Sequence, residues 1–173
     1  MITTSTLTDA YTVAIGDLCV VGARKGRIVT HALGSCVGVT VYDPELRIGG
    51  MLHFMLPSAA EGETGQVQPW AFASQGVPAL FKAAYALGAE KRRLVVCAAG
   101  AADLTNAPNG LHIGARNKTI LRKLLWKNDV ALLAEELGGN LARTMELDLA
   151  DGFVFVRTAG TRKQIWPTGG ATT

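Results

Sequence analysis

Two short apolar segments follow one another closely in the first third of the chain. In the first of them, valines alternate with smaller or polar residues, at Val37, Val39 and Val41. The turn pair Asp43-Pro44 follows, and residues 48–56 are again rich in strand-forming side chains. This pattern predicts a β-hairpin.

The register of the hairpin has a chemical consequence. If Val41 faces Ile48 in an antiparallel pair, then Cys36 faces His53. Directly opposed residues carry Cβ atoms about 4.5–5.5 Å apart, so a thiol and an imidazole would lie together. A slip of one residue would turn one of these two side chains to the other face of the sheet.

Two later segments carry the helical period. Apolar residues of the first recur at i, i+3, i+4 and i+7, namely Val77, Leu80, Phe81 and Ala84. Ser74 is its candidate N-cap and Gly88 its stop signal. The second helix runs from about Asn117 to Lys127, with one apolar face and one basic face.

The remaining hydrophobic segments read as strands. They are residues 94–97, 130–134, 141–149 and 153–158. Gly138-Gly139 and Asp151-Gly152 are turn signals between them. The pattern therefore predicts an α+β fold of mostly antiparallel strands flanked by two main helices.

Composition favours one folded domain over residues 1–173. The chain is 49% hydrophobic and 18% charged, and it has no internal repeat or low-complexity run. Residues 61–68, which contain glycine, read as a loop and not as a domain boundary. We expect the two ends, residues 1–10 and 160–173, to be loose.

Net charge, hydropathy and cysteine content limit the classes of partner and the cellular compartment that we expect for this protein. The net charge of +3 is too small to indicate a nucleic-acid partner. No apolar stretch approaches the roughly 20 residues that cross a bilayer, and no secretory signal is recognisable, so we expect a cytoplasmic protein without membrane insertion. Three scattered cysteines fit neither a disulfide framework nor a zinc site, and we expect no metal and no cofactor.

Cys36 is the candidate nucleophile. Its small neighbours Gly34 and Ser35 leave the sulfur approachable and let free backbone amides converge near it, as acyl transfer requires. His53 is the candidate base, and Thr30 is a candidate for the third group that orients such a histidine. From spacing alone, a cysteine of this kind is more often a small buried hydrophobic residue.

The residues around these candidates resemble one family closely, that of the bacterial chemoreceptor glutamine deamidase CheD. The resemblance rests on residues 28–37 (Ile-Val-Thr-His-Ala-Leu-Gly-Ser-Cys-Val), 50–57, 113–117 and 138–143. It covers the chain from about Tyr11 to Thr158. In that family the matching cysteine is the nucleophile, the matching histidine its base and the matching threonine the third member, and these fall here on Cys36, His53 and Thr30.

The resemblance implies a fold and a reaction. The fold is an α/β sandwich shared with bacterial glutamine-deamidating toxins. The reaction is hydrolysis of glutamine side-chain amides, without a cofactor, in the cytoplasmic helices of methyl-accepting chemoreceptors, through a cysteinyl thioester. The amides of Ser35 and Cys36 are plausible oxyanion donors. The phosphatase CheC is a further partner expected from the family.

Some positions depart from the family pattern or have two interpretations. Phe72-Ala73-Ser74 stands where Tyr-x-Asp is frequent, and Gly100-Ala101 stands where Gly-Gly is usual. Asn117 either borders the site or caps the second helix. A non-catalytic module that docks on chemoreceptors or on CheC is the alternative function, although it would not need all three triad residue types.

The thiols themselves give a further expectation. A cysteine beside an imidazole and free amides should have a lowered pKa. Cys36 should therefore ionise more readily than Cys19 and Cys97, which lie in apolar runs that should bury them.

Overall fold

The structure is a computed structural model that describes residues 10–59, 68–103 and 112–168. Ten strands and two main helices lie within these residues. The strands are β1 (Ala10–Thr12), β2 (Leu18–Gly22), β3 (Arg27–Leu33), β4 (Val37–Asp43), β5 (Ile48–Phe54), β6 (Val95–Gly100), β7 (Ala134–Leu137), β8 (Arg143–Asp148), β9 (Val154–Thr158) and β10 (Thr161–Trp166). The helices are α1 (Ala73–Ala86) and α2 (Ile113–Lys127), with a short 3-10 helix at Lys91–Arg93.

The strands form two five-stranded sheets. The first has the order β1-β3-β8-β9-β10 and the second the order β2-β5-β4-β6-β7. Only the pairs β1-β3 and β6-β7 are parallel among the described strands. The predicted α+β fold of mostly antiparallel strands with two main helices is therefore confirmed.

The second sheet lies at the centre of three layers. Every residue of β4 and β5 is buried, so this sheet is covered on both faces. On one face, side chains such as Val39 and Leu52 pack against α1 and α2. On the other face, residues such as Met51 and Ala99 pack against the first sheet, in what we call the intersheet cluster.

The predicted hairpin is present, but its register differs by two residues. Asp43 pairs with Ile48, and His53 faces Gly38 in place of Cys36. The strand extends to Asp43 because its carboxylate accepts hydrogen bonds from the N–H groups of Glu45 and Leu46, which fixes a shorter turn, residues 44–47 in place of 42–47. Since a shift of two residues preserves the face, Cys36 stays on the same side of the sheet as His53.

Ser74 does not cap α1, contrary to the prediction. The helix starts at Ala73, and its N-cap residue Phe72 makes no side-chain cap bond. The N–H groups of Ala73 and Ser74 instead donate to the carbonyls of Leu56 and Pro57. Backbone from the segment after β5 thus satisfies the helix amides that a side chain would otherwise cap.

The second helix also begins earlier than predicted. It starts at Ile113, so Asn117 lies inside it and is not a cap. The strand predicted at residues 130–134 lies at Ala134–Leu137 instead, because it pairs in parallel with β6 beginning at Cys97.

The C-terminal segment is more ordered than expected. Residues 161–166 form β10, which turns back onto β9 through Ala159 and Gly160, both with positive φ. The rest of the expected loose ends, residues 1–9 and 169–173, and the loop over residues 61–67 lie outside the described residues. No helix in the described ranges is long and apolar enough to cross a membrane.

Candidate active site

The three candidate residues lie along the layer between the two sheets. Thr30 comes from β3 of the first sheet and His53 from β5 of the second, and both are buried. Cys36 lies just before β4, is half-buried and packs against the intersheet cluster. The fold therefore brings the two candidates from the hairpin and the one from β3 to the same layer.

The hydrogen bonds of Thr30 decide the tautomer of His53. Thr30 Oγ1 lies 2.7 Å from the carbonyl oxygen of Val13 and 2.8 Å from His53 Nδ1. The carbonyl can only accept, so the single hydroxyl hydrogen goes to Val13. Thr30 Oγ1 must then accept from His53 Nδ1–H, which leaves the lone pair on Nε2.

This tautomer suits a general base. Nε2 of His53 is buried and has no hydrogen-bond partner among the described residues. Burial disfavours the charged ring and lowers the pKa of His53 from 6.5 to about 4. At neutral pH the imidazole is uncharged and can take a proton at Nε2.

The backbone of His53 is held on both sides. Its carbonyl accepts from Gly16 N–H at 2.8 Å, and its N–H donates to the Asp17 carbonyl at 3.1 Å. Across the hairpin it faces Gly38, where a Cβ would come within 3.3 Å of Thr30 Cγ2 and 3.0 Å of Leu33 Cδ1. Glycine at position 38 therefore leaves the room in which Thr30 and His53 meet.

In the loop before β4, residues 34–36, the three carbonyls accept hydrogen bonds, whereas two of the N–H groups make none to other residues. The Gly34 carbonyl accepts from Ala102 N–H and the Cys36 carbonyl from Ala101 N–H, both at 2.8 Å. The Ser35 carbonyl accepts from Asn117 Nδ2 at 2.9 Å. The N–H groups of Ser35 and Cys36 donate to no acceptor on another residue in the described part of the chain, so they are available to an oxyanion.

Gly100-Ala101, which stands where the family usually has Gly-Gly, packs against the loop before β4. Gly100 has φ +113, and a Cβ there would overlap the Cys36 carbonyl. Ala101 keeps the left-handed conformation, with φ 54, that glycine adopts more readily. Its N–H donates to the Cys36 carbonyl, so alanine at this position supports the loop.

The expected low pKa of Cys36 is wrong for this structure. Burial raises the pKa of its thiol, and the opposing effect of its own backbone N–H is smaller. Burial also raises the pKa of Cys19, and it raises that of Cys97 to about 12. Cys36 and His53 are therefore a neutral thiol and a neutral imidazole at rest, and the proton must move as the sulfur attacks.

The structure decides between the two roles that the sequence left open for Asn117, bordering the site or capping α2. It is 0% exposed, and Nδ2 donates to the carbonyls of Ser35 at 2.9 Å and Met55 at 2.8 Å. Both acceptors are carbonyls, which fixes the orientation of the amide. Because both Nδ2 hydrogens are used, Asn117 borders the site without being an oxyanion donor.

The carbonyl of Val13 was missed entirely by the sequence analysis. It lies outside every motif quoted for the site, and a backbone oxygen leaves no side-chain signal. Only the parallel pairing of β1 with β3, continued by the bond from Val13 N–H to the Val29 carbonyl, brings it to Thr30.

The described residues contain no group of three or more His, Cys, Asp or Glu side chains placed to hold a metal ion.

Comparison with known proteins gives a consistent set of relatives. A family model described as CheD chemotactic sensory transduction matches residues 55–158. A probable chemoreceptor glutamine deamidase CheD of Syntrophus aciditrophicus is 42% identical, over 86% of this chain and 93% of the relative. Proteins given the same name in Anaeromyxobacter dehalogenans and Solibacter usitatus are 45% and 39% identical, over 85% and 90% of this chain and 93% of each relative.

Proposed function

The chain belongs to the CheD family, and from this premise and the geometry of the site we propose that it is a cysteine-dependent glutamine deamidase of chemoreceptors. Its substrates are glutamine side chains on the cytoplasmic helices of methyl-accepting chemoreceptors, and its products are glutamate and ammonia. The observation that carries the proposal is the bond between His53 Nδ1 and Thr30, because it leaves Nε2 free as a base. Cys36, His53 and Thr30 are the proposed triad.

The first half of the reaction forms a thioester. Cys36 Sγ attacks the glutamine carboxamide carbon while its proton passes to His53 Nε2. The carbonyl oxygen becomes an oxyanion, which the N–H groups of Ser35 and Cys36 hold. His53 then gives the proton to the departing nitrogen, the C–N bond breaks, and ammonia leaves.

The second half consumes water. His53, again neutral, takes a proton from a water molecule as the oxygen attacks the thioester carbon. The C–S bond breaks when the second oxyanion collapses, and His53 returns the proton to the Cys36 sulfur. The product is a glutamate side chain, and no step needs a cofactor.

We propose the cytoplasm as the site of action, since the receptor helices named above lie there. The resemblance also supports a CheC-type phosphatase as a second partner. Co-elution of the two purified proteins on gel filtration would support that partnership, and separate elution at micromolar concentrations would count against it.

The direct test is Gln-to-Glu conversion in a purified receptor cytoplasmic fragment, followed by mass spectrometry. Cys36→Ala should abolish conversion because it removes the nucleophile and little volume. Cys19→Ala, a change of the same chemistry at a half-buried thiol of β2, is the matched control and should stay active. If Cys36→Ala converts the fragment at the wild-type rate, Cys36 is not the nucleophile and the proposed mechanism fails. If the wild type binds the fragment without converting it, the non-catalytic docking module becomes the better account.

A further inference from the structure

The peptide between Ser35 and Cys36 is held from one side only. Asn117 Nδ2 binds its carbonyl oxygen at 2.9 Å, and its N–H, which belongs to Cys36, has no acceptor outside its own residue in the described ranges. In a trans peptide the C=O and N–H bonds point in opposite directions. Fixing the carbonyl on Asn117 therefore directs the Cys36 amide to the opposite side.

Asn117 also joins the two parts of the site. Its second Nδ2 hydrogen binds the carbonyl of Met55, two residues after His53 on the segment that leaves β5. One buried amide thus connects the loop that carries the nucleophile to the strand that carries the base. The fifth residue of α2, a position without a capping role, makes both bonds.

A buried polar side chain at position 117 lowers the stability of the fold unless its hydrogen bonds compensate for its burial. Asn117 is 0% exposed, and its Oδ1 has no hydrogen-bond partner among the described residues. An unsatisfied buried acceptor lowers stability, so an apolar residue would serve the packing of α2 better. What an apolar residue would lose is the hold on the two carbonyls.

We propose that Asn117 is a positioning residue of the oxyanion site, which holds the Ser35 carbonyl and thereby aims the Cys36 amide at the oxygen of the carbonyl under attack. The proposal rests on the proposed acyl-transfer function. Asn117 touches neither substrate nor the reacting atoms and acts through the Ser35-Cys36 peptide.

The test compares two reactions of the same thiol. Acylation of Cys36 by p-nitrophenyl acetate passes through an oxyanion and needs the amide, whereas alkylation by iodoacetamide forms no oxyanion and does not. The variant is Asn117→Asp, whose carboxylate cannot donate to either carbonyl. The matched control is Asn128→Asp, the same change on an exposed asparagine at the end of α2, where Nδ2 binds Leu124.

We expect Asn117→Asp to lower the ratio of acylation to alkylation at Cys36 by about 10²-fold, as misplacing one oxyanion donor does. Receptor deamidation should show a similar fall in kcat with little change in KM. Asn128→Asp should match the wild type in both. Asn117→Ala is the second variant, in case the aspartate prevents folding, and near-ultraviolet circular dichroism identifies the folded protein.

Three outcomes decide the matter. An unchanged ratio in folded Asn117→Asp or Asn117→Ala overturns the proposal, whether both reactions keep their wild-type rates or both fall equally, because a purely structural role would affect them alike. If neither variant folds, Asn117 serves the fold and the proposal fails. If the wild type does not deamidate the receptor fragment but the ratio still falls in the variants, the proposed function fails and the role of Asn117 stands.

Discussion

At the scale of single residues, His53 couples protonation to folding in the acidic range. Its pKa is about 4 in the folded protein against 6.5 for an unperturbed ring. Between these values the unfolded chain binds a proton that the folded chain does not, so stability falls as the pH is lowered from 6.5 to 4. The loss across this window should be about 3 kcal/mol.

Urea unfolding of the wild type and of His53→Gln at pH 7 and at pH 4.5 measures this effect. The wild type should lose about 2–3 kcal/mol more than His53→Gln on acidification. His31→Gln, at an exposed histidine on β3, is the control and should follow the wild type. The same loss in all three proteins would show that His53 titrates normally.

Thr30 should act through its hydroxyl and not through its shape. Thr30→Val keeps the volume but cannot accept from His53 Nδ1–H, so the Nε2-bare tautomer loses its support. We expect kcat to fall at least about tenfold, since removal of a tautomer-setting group costs up to about 10⁴ in the serine protease triad. Thr30→Ser should recover most of the activity.

Nitrogen NMR of the His53 ring gives a reading that a mere loss of stability would not produce. The wild type and Thr30→Ser should show a protonated Nδ1 and a bare Nε2. If Thr30→Val shows the same tautomer at full activity, Thr30 has no orienting role.

The residues that sequence could identify are those with reactive side chains. Cys36, His53 and Thr30 stand out because few residue types attack carbonyls or move protons. The hydrogen bonds from Asn117 to the carbonyls of Ser35 and Met55 could not be deduced from the sequence. Their acceptors lie 82 and 62 positions before Asn117 in the chain. The pKa of Cys36 was misjudged because burial outweighs the nearby amide, and burial depends on the whole fold.

At the scale of secondary structure, periodicity predicted the hairpin and both helices, and local geometry decided their ends. The register moved by two residues because Asp43 accepts two turn amides, a preference that alternation of valines does not encode. The start of α1 is set by carbonyls of Leu56 and Pro57. Tertiary contacts thus fixed what the period left open.

The glycine opposite His53 offers a test of the hairpin. In Gly38→Ala the new Cβ would lie 3.0–3.3 Å from Leu33, Met145 and Thr30, so these side chains would have to shift by a few tenths of an ångström. We expect a loss of about 1–3 kcal/mol in unfolding free energy, from overpacking, together with lower activity as Thr30 and His53 separate. Denaturant unfolding and the receptor assay measure the two effects.

Gly22 supplies the control for this substitution. It is also a strand glycine, at the end of β2, but a Cβ there meets only Ile48 Cγ1 at 3.9 Å, an ordinary contact. Gly22→Ala should leave the activity unchanged. Equal behaviour of the two variants would mean that position 38 needs no free space.

At the scale of the whole molecule, the site depends on two sheets packed face to face. Thr30 belongs to one sheet and His53 to the other, and they are joined by a single 2.8 Å bond. The central sheet supplies side chains such as Val39 and Leu52 to the cluster under α1 and α2, which we call the helix-facing cluster, and others such as Met51 to the intersheet cluster. Neither cluster can be lost without exposing that sheet, so the single-domain expectation becomes a prediction of one cooperative unit.

The three tryptophans can test this cooperativity separately in each cluster. Trp70 packs against the helix-facing cluster and Trp166 against the intersheet cluster, whereas Trp126 is 79% exposed and dispensable. Two variants are made in a Trp126→Phe background. Adding Trp166→Phe leaves Trp70 as the only tryptophan, and adding Trp70→Phe leaves Trp166, so each protein reports on one cluster. If the layers unfold together, each protein's fluorescence midpoint in guanidinium should coincide with the midpoint of its own far-ultraviolet circular dichroism. A fluorescence transition that precedes the loss of secondary structure in either protein would show that one layer separates first, and the bond between Thr30 and His53 would then be lost before the rest of the fold.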